Sequence, residues 1–235
     1  MWKSSPRCVS DAAVRELQPF TLSDKPNTDF DFCELMWTET KETRIKAFES
    51  NFVQGVRRGR LHPTSFGAYM VQDSVYCQRV ADSLEVAAEG EKCGPLKRFL
   101  EERKSSYERY YEDLFKLWHI RDGKAIGLGP ECQFYVDTVA GVADKDDAHY
   151  MLVALIPCGR LWPWLGQKLN EAEHCFGAYT DWVNSNLNPN SKGYKTLQDM
   201  VNAAVSGRKI DKKKAMDIYS KCMNGEAGFF GSVPI

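Results

Sequence analysis

The chain has 235 residues, 43% hydrophobic and 27% charged, ordinary values for a globular protein with a buried core. Lys and Arg number 31 against 32 Asp and Glu, which leaves a formal net charge of −1. That balance gives no field for holding nucleic acid or an anionic membrane surface, and no uncharged run approaches the roughly 20 residues that span a bilayer.

Charges scattered through the N-terminal segment, with no apolar stretch among them, argue against a secretory signal. The eight cysteines (8, 33, 77, 93, 132, 158, 175 and 222) form no Cys-x-x-Cys pair. They read as reduced thiols, so the expected location is cytoplasmic.

Residues 1–27 mix Ser, Pro and charge and end in Asp24-Lys25-Pro26-Asn27, which predicts a loosely attached lead-in. One domain is expected over 28–235. From Phe30 onward apolar residues recur at spacings of 3 and 4, and strand-like alternation is scarce. The pattern predicts helices near 31–58, 63–90, 95–119, 130–143, 147–169, 172–187, 193–206 and 211–229. His62-Pro63-Thr64-Ser65 puts a proline in a first turn, and Gly90, Gly94-Pro95, Gly127 to Pro130, Asn188-Pro189 and Gly207 fill the breaks. The fold class is all-α.

Within 63–90, Phe66, Tyr69, Asp73, Tyr76 and Val80 share one inward stripe. Asp73 stands where Leu or Met is the usual choice. Buried without a partner it costs several kcal/mol, so it needs a core donor or a polar ligand. A structural bond to a neighbouring tyrosine is the plainer reading. The 95–119 helix carries Arg98, Glu101, Glu102, Arg103 and Lys104 at distances that suit a solvated face, with a partner-binding helix as the alternative.

The 147–169 helix contains Ala154-Leu155-Ile156-Pro157-Cys158. A proline there removes one helical hydrogen bond and is expected to bend the rod, turning the Cys158 thiol toward the bundle interior. Most buried cysteines are inert, and a free thiol is only about 3% thiolate at pH 7, so a nucleophile needs a base or a positive field. Arg160 is near in sequence but lies about 200° around the helix. Toward the C-terminus, Glu226 and Phe229 share a helical face, placing a carboxyl beside an aromatic wall, a workable general acid or base.

Taken in order, residues 51–76, 131–139, 154–166, 179–187 and 226–230 resemble the TenA family, thiaminase II and related aminopyrimidine hydrolases of the heme-oxygenase-like fold. The carrying motifs are Gln72-Asp73-x-x-Tyr76, Ala154-x-x-Pro157-Cys158 and Glu226-Ala227-Gly228-Phe229. The resemblance implies a single helical-bundle domain and a thiaminase-type cleavage of a methylene C–N bond. It assigns Asp73 to the aminopyrimidine ring, Tyr76 and Tyr135 to orienting ring and thiol, Cys158 to nucleophilic addition, Glu226 to proton transfer and Phe229 to the pocket wall. It implies a small-molecule substrate, no cofactor, no metal, and a homo-oligomer, tetramer or dimer. One departure stands out: the family's tyrosine four residues beyond Trp182 is Asn186 here, which removes a ring and adds an amide. Small residues around Gly159 suggest that Trp162 and Trp164 supply the missing bulk. The second nucleophile, water or an organic base, stays open.

A non-catalytic pyrimidine-binding or regulatory role is the alternative. Asp146-x-x-His149 and Glu171-x-x-His174 have the spacing of helical di-iron ligands, although both fall at helix ends without matching inward glutamates. His62 and His119 sit at helix boundaries, so no proximal heme ligand is expected.

Overall fold

The computed structural model describes residues 31–232, and within them every regular element is helical. The described residues form ten α-helices: α1 (Phe32–Glu39), α2 (Lys41–Glu49), α3 (Asn51–Arg57), α4 (Pro63–Glu89), α5 (Pro95–Leu117), α6 (Pro130–Lys145), α7 (His149–Glu171), α8 (Thr180–Asn186), α9 (Tyr194–Ser206) and α10 (Lys212–Gly231). Single 3-10 turns occur at Gly123–Ala125 and Gly177–Tyr179. The all-α bundle anticipated from periodicity is the observed fold. The expected lead-in over 1–27 lies outside the described residues.

Capping chemistry sets the helix starts. His62 Nδ1 accepts from the Thr64 amide at 3.2 Å while Pro63 opens α4. Pro95 and Pro130 open α5 and α6 in the same way. Asp211 caps α10 by accepting from the Lys214 amide at 2.8 Å.

Two expected helices divide differently. The 31–58 segment is three helices, broken at Thr40 and Ser50. Thr40 Oγ1 bonds back to the Met36 carbonyl at 2.9 Å, and Ser50 turns extended (ψ 151°) with its hydroxyl capping the Val53 amide. In 172–187 only Thr180–Asn186 is α-helical. Upstream of it the Cys175 amide bonds to the Arg57 carbonyl at 2.9 Å, and Gly177 takes φ +54°, a left-handed conformation that ends any continuous helix.

The long helices build the frame. α4 packs along α5 and α6; α10 packs on α6, α7 and α2; α9 lies against α7. α7 passes unbroken through two prolines, Pro157 and Pro163, and its residues from Tyr150 to Cys158 are all buried. α5 is two-sided. Arg98, Glu101 and Glu102 are exposed as a solvated face predicts, but Phe99, Tyr107, Tyr110 and Leu114 are buried against the bundle. No described helix is long and apolar enough to cross a membrane.

Candidate active site

Glu226 is the hub. It is 1% exposed on α10, and each of its carboxylate oxygens accepts a hydrogen bond. Tyr135 on α6 donates its hydroxyl to Oε1 at 2.9 Å, and Trp162 on α7 donates its indole N–H to Oε2 at 3.1 Å. Three helices are thereby joined through one buried carboxyl. Burial, followed by the nearby charges of Glu226, Tyr76 and Cys158, holds the Tyr135 phenol protonated far above the ordinary tyrosine range. Tyr135 is therefore a donor at any physiological pH.

Gly225 makes this arrangement possible. A Cβ at that position would lie 2.5 Å from Tyr135 Cγ and 2.6 Å from Cδ2. The missing side chain lets the phenol ring lie directly on α10, which carries its hydroxyl to the next residue, Glu226. The signal in the sequence was the Gly225-x-x-Gly228 interval inside a buried helix.

An aromatic wall surrounds the hub. The Tyr76 ring lies 4.6 Å from that of Tyr135 and 6.4 Å from Phe229. Tyr69 stacks on Phe229 at 4.6 Å, and Trp162 contacts Phe230 at 5.4 Å and Trp182 at 5.8 Å. Asp73, 1% exposed, sits on α4 one turn from both Tyr69 and Tyr76. Cys158 is also 1% exposed and lies one helical turn before Trp162 on α7. Two other thiols, Cys33 and Cys222, are buried as well. Burial and the adjacent Asp31 push Cys33 up to about 12, and burial with Glu226 drives Cys222 higher still.

The remaining expected residues divide. Asn186 is buried at the end of α8; its Nδ2 donates to the Trp182 carbonyl at 2.9 Å and its Oδ1 accepts from Tyr110 of α5 at 3.2 Å. A phenol from α5 thus stands beside the amide. Trp162 joins the hub through a hydrogen bond as well as by bulk. Trp164 packs instead against Trp37 at 6.1 Å and Phe48 at 6.2 Å. Gly159 lies against α9, where a Cβ would meet that of Tyr194 at 3.4 Å. The contributions of α5 were not anticipated. Their signal was the 99/103/107/110/114 spacing, which keeps one face of a charged helix aromatic.

The di-iron spacings do not assemble. Asp146 pairs with Lys214, Glu171 with Lys168, and His174 Nδ1 meets the Ala172 carbonyl. His149 Nδ1 lies 2.6 Å from Asp147 and, with Glu91, forms only a surface trio.

Fold and centre together define a class: an all-α bundle that seals a carboxyl, phenols and a thiol inside an aromatic core. The model of the TENA/THI-4/PQQC family matches residues 44–218, and the chain belongs to that family. A TenA homologue from P. horikoshii OT3 superposes with a TM-score of 0.71 at 18% identity, over 86% of this chain and 97% of that one. A TenA family transcription regulator from Silicibacter sp. TM1040 gives 0.69 at 17% identity, over 86% and 97%. A candidate TenA-like thiaminase from Sulfolobus solfataricus P2 gives 0.62 at 20% identity, over 86% and 95%. At these identities the likeness is one of fold. No curated protein sequence matches the chain.

Proposed function

We infer that this protein is a thiaminase-type enzyme that cleaves the methylene C–N bond of thiamin or a related 4-amino-5-methylpyrimidine. The observation that carries the reading is the Tyr135–Glu226–Trp162 hydrogen-bonded set, with the buried Cys158 one helical turn before Trp162 on α7.

In this reading Asp73 binds the aminopyrimidine through its exocyclic amine and a ring nitrogen, between the rings of Tyr76 and Phe229. The Cys158 thiolate adds to an electron-poor ring carbon, forming a C–S bond and placing the electron pair in the ring. That pair then expels the group on the exocyclic methylene, and the C–N electrons leave with the departing nitrogen. Water adds to the methylene carbon and gives its proton to Glu226, or a base without a proton, such as pyridine, adds as its cation; the electron pair returns through the ring and expels the Cys158 thiolate as the C–S bond breaks. Tyr135 fixes the direction in which Glu226 presents its lone pairs.

Product analysis tests this with purified protein, thiamin and the corresponding aminomethylpyrimidine, each with and without pyridine. Hydroxymethylpyrimidine as the product identifies hydrolysis; a pyridinium adduct identifies base exchange. Recovery of both substrates unchanged at high protein concentration excludes the enzyme. The Silicibacter relative, described as a transcription regulator, keeps a second reading in view, a non-catalytic pyrimidine-binding protein. Tight pyrimidine binding without turnover would favour it.

A further inference from the structure

α6 carries Tyr135, so where that helix begins decides where the phenol arrives. Its start has no cap of its own: Gly129 flanks the first turn, Pro130 opens it, and no side chain there bonds the first amides. The anchor comes from α4. Half-buried Gln72 donates from Nε2 to the Gly127 carbonyl at 3.0 Å, and its Oε1 accepts from the Gly129 amide at 2.8 Å. The partners fix which way the amide points, since a main-chain N–H only donates and a carbonyl only accepts. The main-chain carbonyl of the same residue accepts a weak hydrogen bond from Cys132 Sγ at 3.9 Å. All of these bonds end on one residue of α4.

The clamp is in register with the hub. Gln72 and Tyr76 are one turn apart on α4, and Cys132 and Tyr135 one turn apart on α6. Gln72 meets Cys132, and the Tyr76 ring meets that of Tyr135 at 4.6 Å. A slip of α6 by one residue would swing Tyr135 about 100° around the helix axis and take its hydroxyl off Glu226. Gln72 also directly precedes Asp73, the carboxylate given to the ring in the proposed reaction.

Resting on the catalytic reading of Tyr135 and Glu226, we propose that Gln72 is a positioning residue whose two-ended amide sets the register of α6 against α4. That register places the Tyr135 hydroxyl on Glu226. Among side chains of this length only a neutral amide offers donor and acceptor together: an ionised Glu lacks the donor, Lys the acceptor and Leu both.

The test compares full-length wild type with Gln72→Ala and Gln72→Glu. By NMR, the Gly129 amide should exchange with solvent about tenfold faster in Gln72→Ala. Tyr135→Phe should lower the folding constant about threefold less in the Gln72→Ala background than in wild type, because the hydroxyl is no longer held in place. With thiamin, Gln72→Ala should lower kcat roughly tenfold and leave KM nearly unchanged. Gln72→Glu adds a pH readout. Its carboxylate repels the Gly127 carbonyl, whereas its protonated form restores both bonds. Its Gly129 protection and kcat, each relative to wild type at the same pH, should recover as pH falls below neutral. A folded Gln72→Ala with wild-type Gly129 exchange and an unchanged cost of Tyr135→Phe overturns the proposal. So does a Gln72→Glu whose ratios ignore pH, a reading that stands even where Gln72→Ala fails to fold. Exchange and folding need no substrate. Coupling without thiamin turnover removes the enzymatic reading alone, whereas turnover without coupling removes the role of Gln72 alone.

Discussion

Tyr135 and Glu226 meet across 2.9 Å, a phenol from α6 and a carboxyl from α10, both sealed from solvent. The pair ties the fold to the chemistry, because the same bond holds two helices together and sets the direction of the carboxyl. Replacing Tyr135 by Phe leaves a buried oxygen short of a donor. Stability should fall by about 1–3 kcal/mol in denaturant titrations, and turnover roughly 100-fold. Trp162→Phe removes the donor to the other oxygen, and the double variant should lose less than the sum of the two. Wild-type kinetics in Tyr135→Phe would show that the bond is structural only.

Asp73→Asn should weaken substrate binding and turnover together, because an amide can accept from one donor where the carboxylate accepts from two. Steady-state kinetics should show kcat falling and KM rising. A change confined to kcat would move Asp73 from binding the ring to the chemistry itself.

Alkaline pH should unfold the protein through its buried acids. The Cys33 thiol is pushed from 9.0 to about 12, so above pH 9 the unfolded chain releases a proton that the native state keeps. Stability is therefore complete below pH 9 and declines as pH rises toward 12. Cys33→Ala should flatten that decline by up to about 1.4 kcal/mol per pH unit, read from denaturant midpoints across the range. Equal slopes in the two proteins would contradict the burial of this thiol.

Gly225→Ala should cost about 1–3 kcal/mol and disturb turnover, since the new methyl would press into the Tyr135 ring. Gly141 in α6 is the contrast, with nothing within 4 Å of its built Cβ. Gly141→Ala should raise stability by about 0.5–1 kcal/mol through helix propensity. Thermal melts of the two variants should move in opposite directions.

Local chemistry made the long helices readable in the sequence. Pro63, Pro95 and Pro130 each mark a first turn, and the 3-and-4 spacing marks each buried face. Asp73 stands out because a carboxyl interrupts such a face, Cys158 because it follows a helix-interior proline, and Glu226 because it shares a face with Phe229. The breaks at Thr40 and Ser50 were hidden because a hydroxyl can bond to the backbone within a helix or end one, and the surroundings decide which. The role of Trp162 was half visible: its bulk could be read, but its N–H bond to Glu226 depends on α7 meeting α10. Tyr110 was obscured by the charges of α5, whose exposed and buried faces alternate within one polar-looking segment.

The central claim is that one sulfur carries the reaction. Thiamin consumption by wild type and Cys158→Ser, compared at matched helical content, tests it most directly, with Cys222→Ala as the control for a buried, protonated thiol. Steady loss of thiamin with wild type and Cys222→Ala, abolished in Cys158→Ser, is the predicted result. Undiminished consumption by Cys158→Ser would contradict the account.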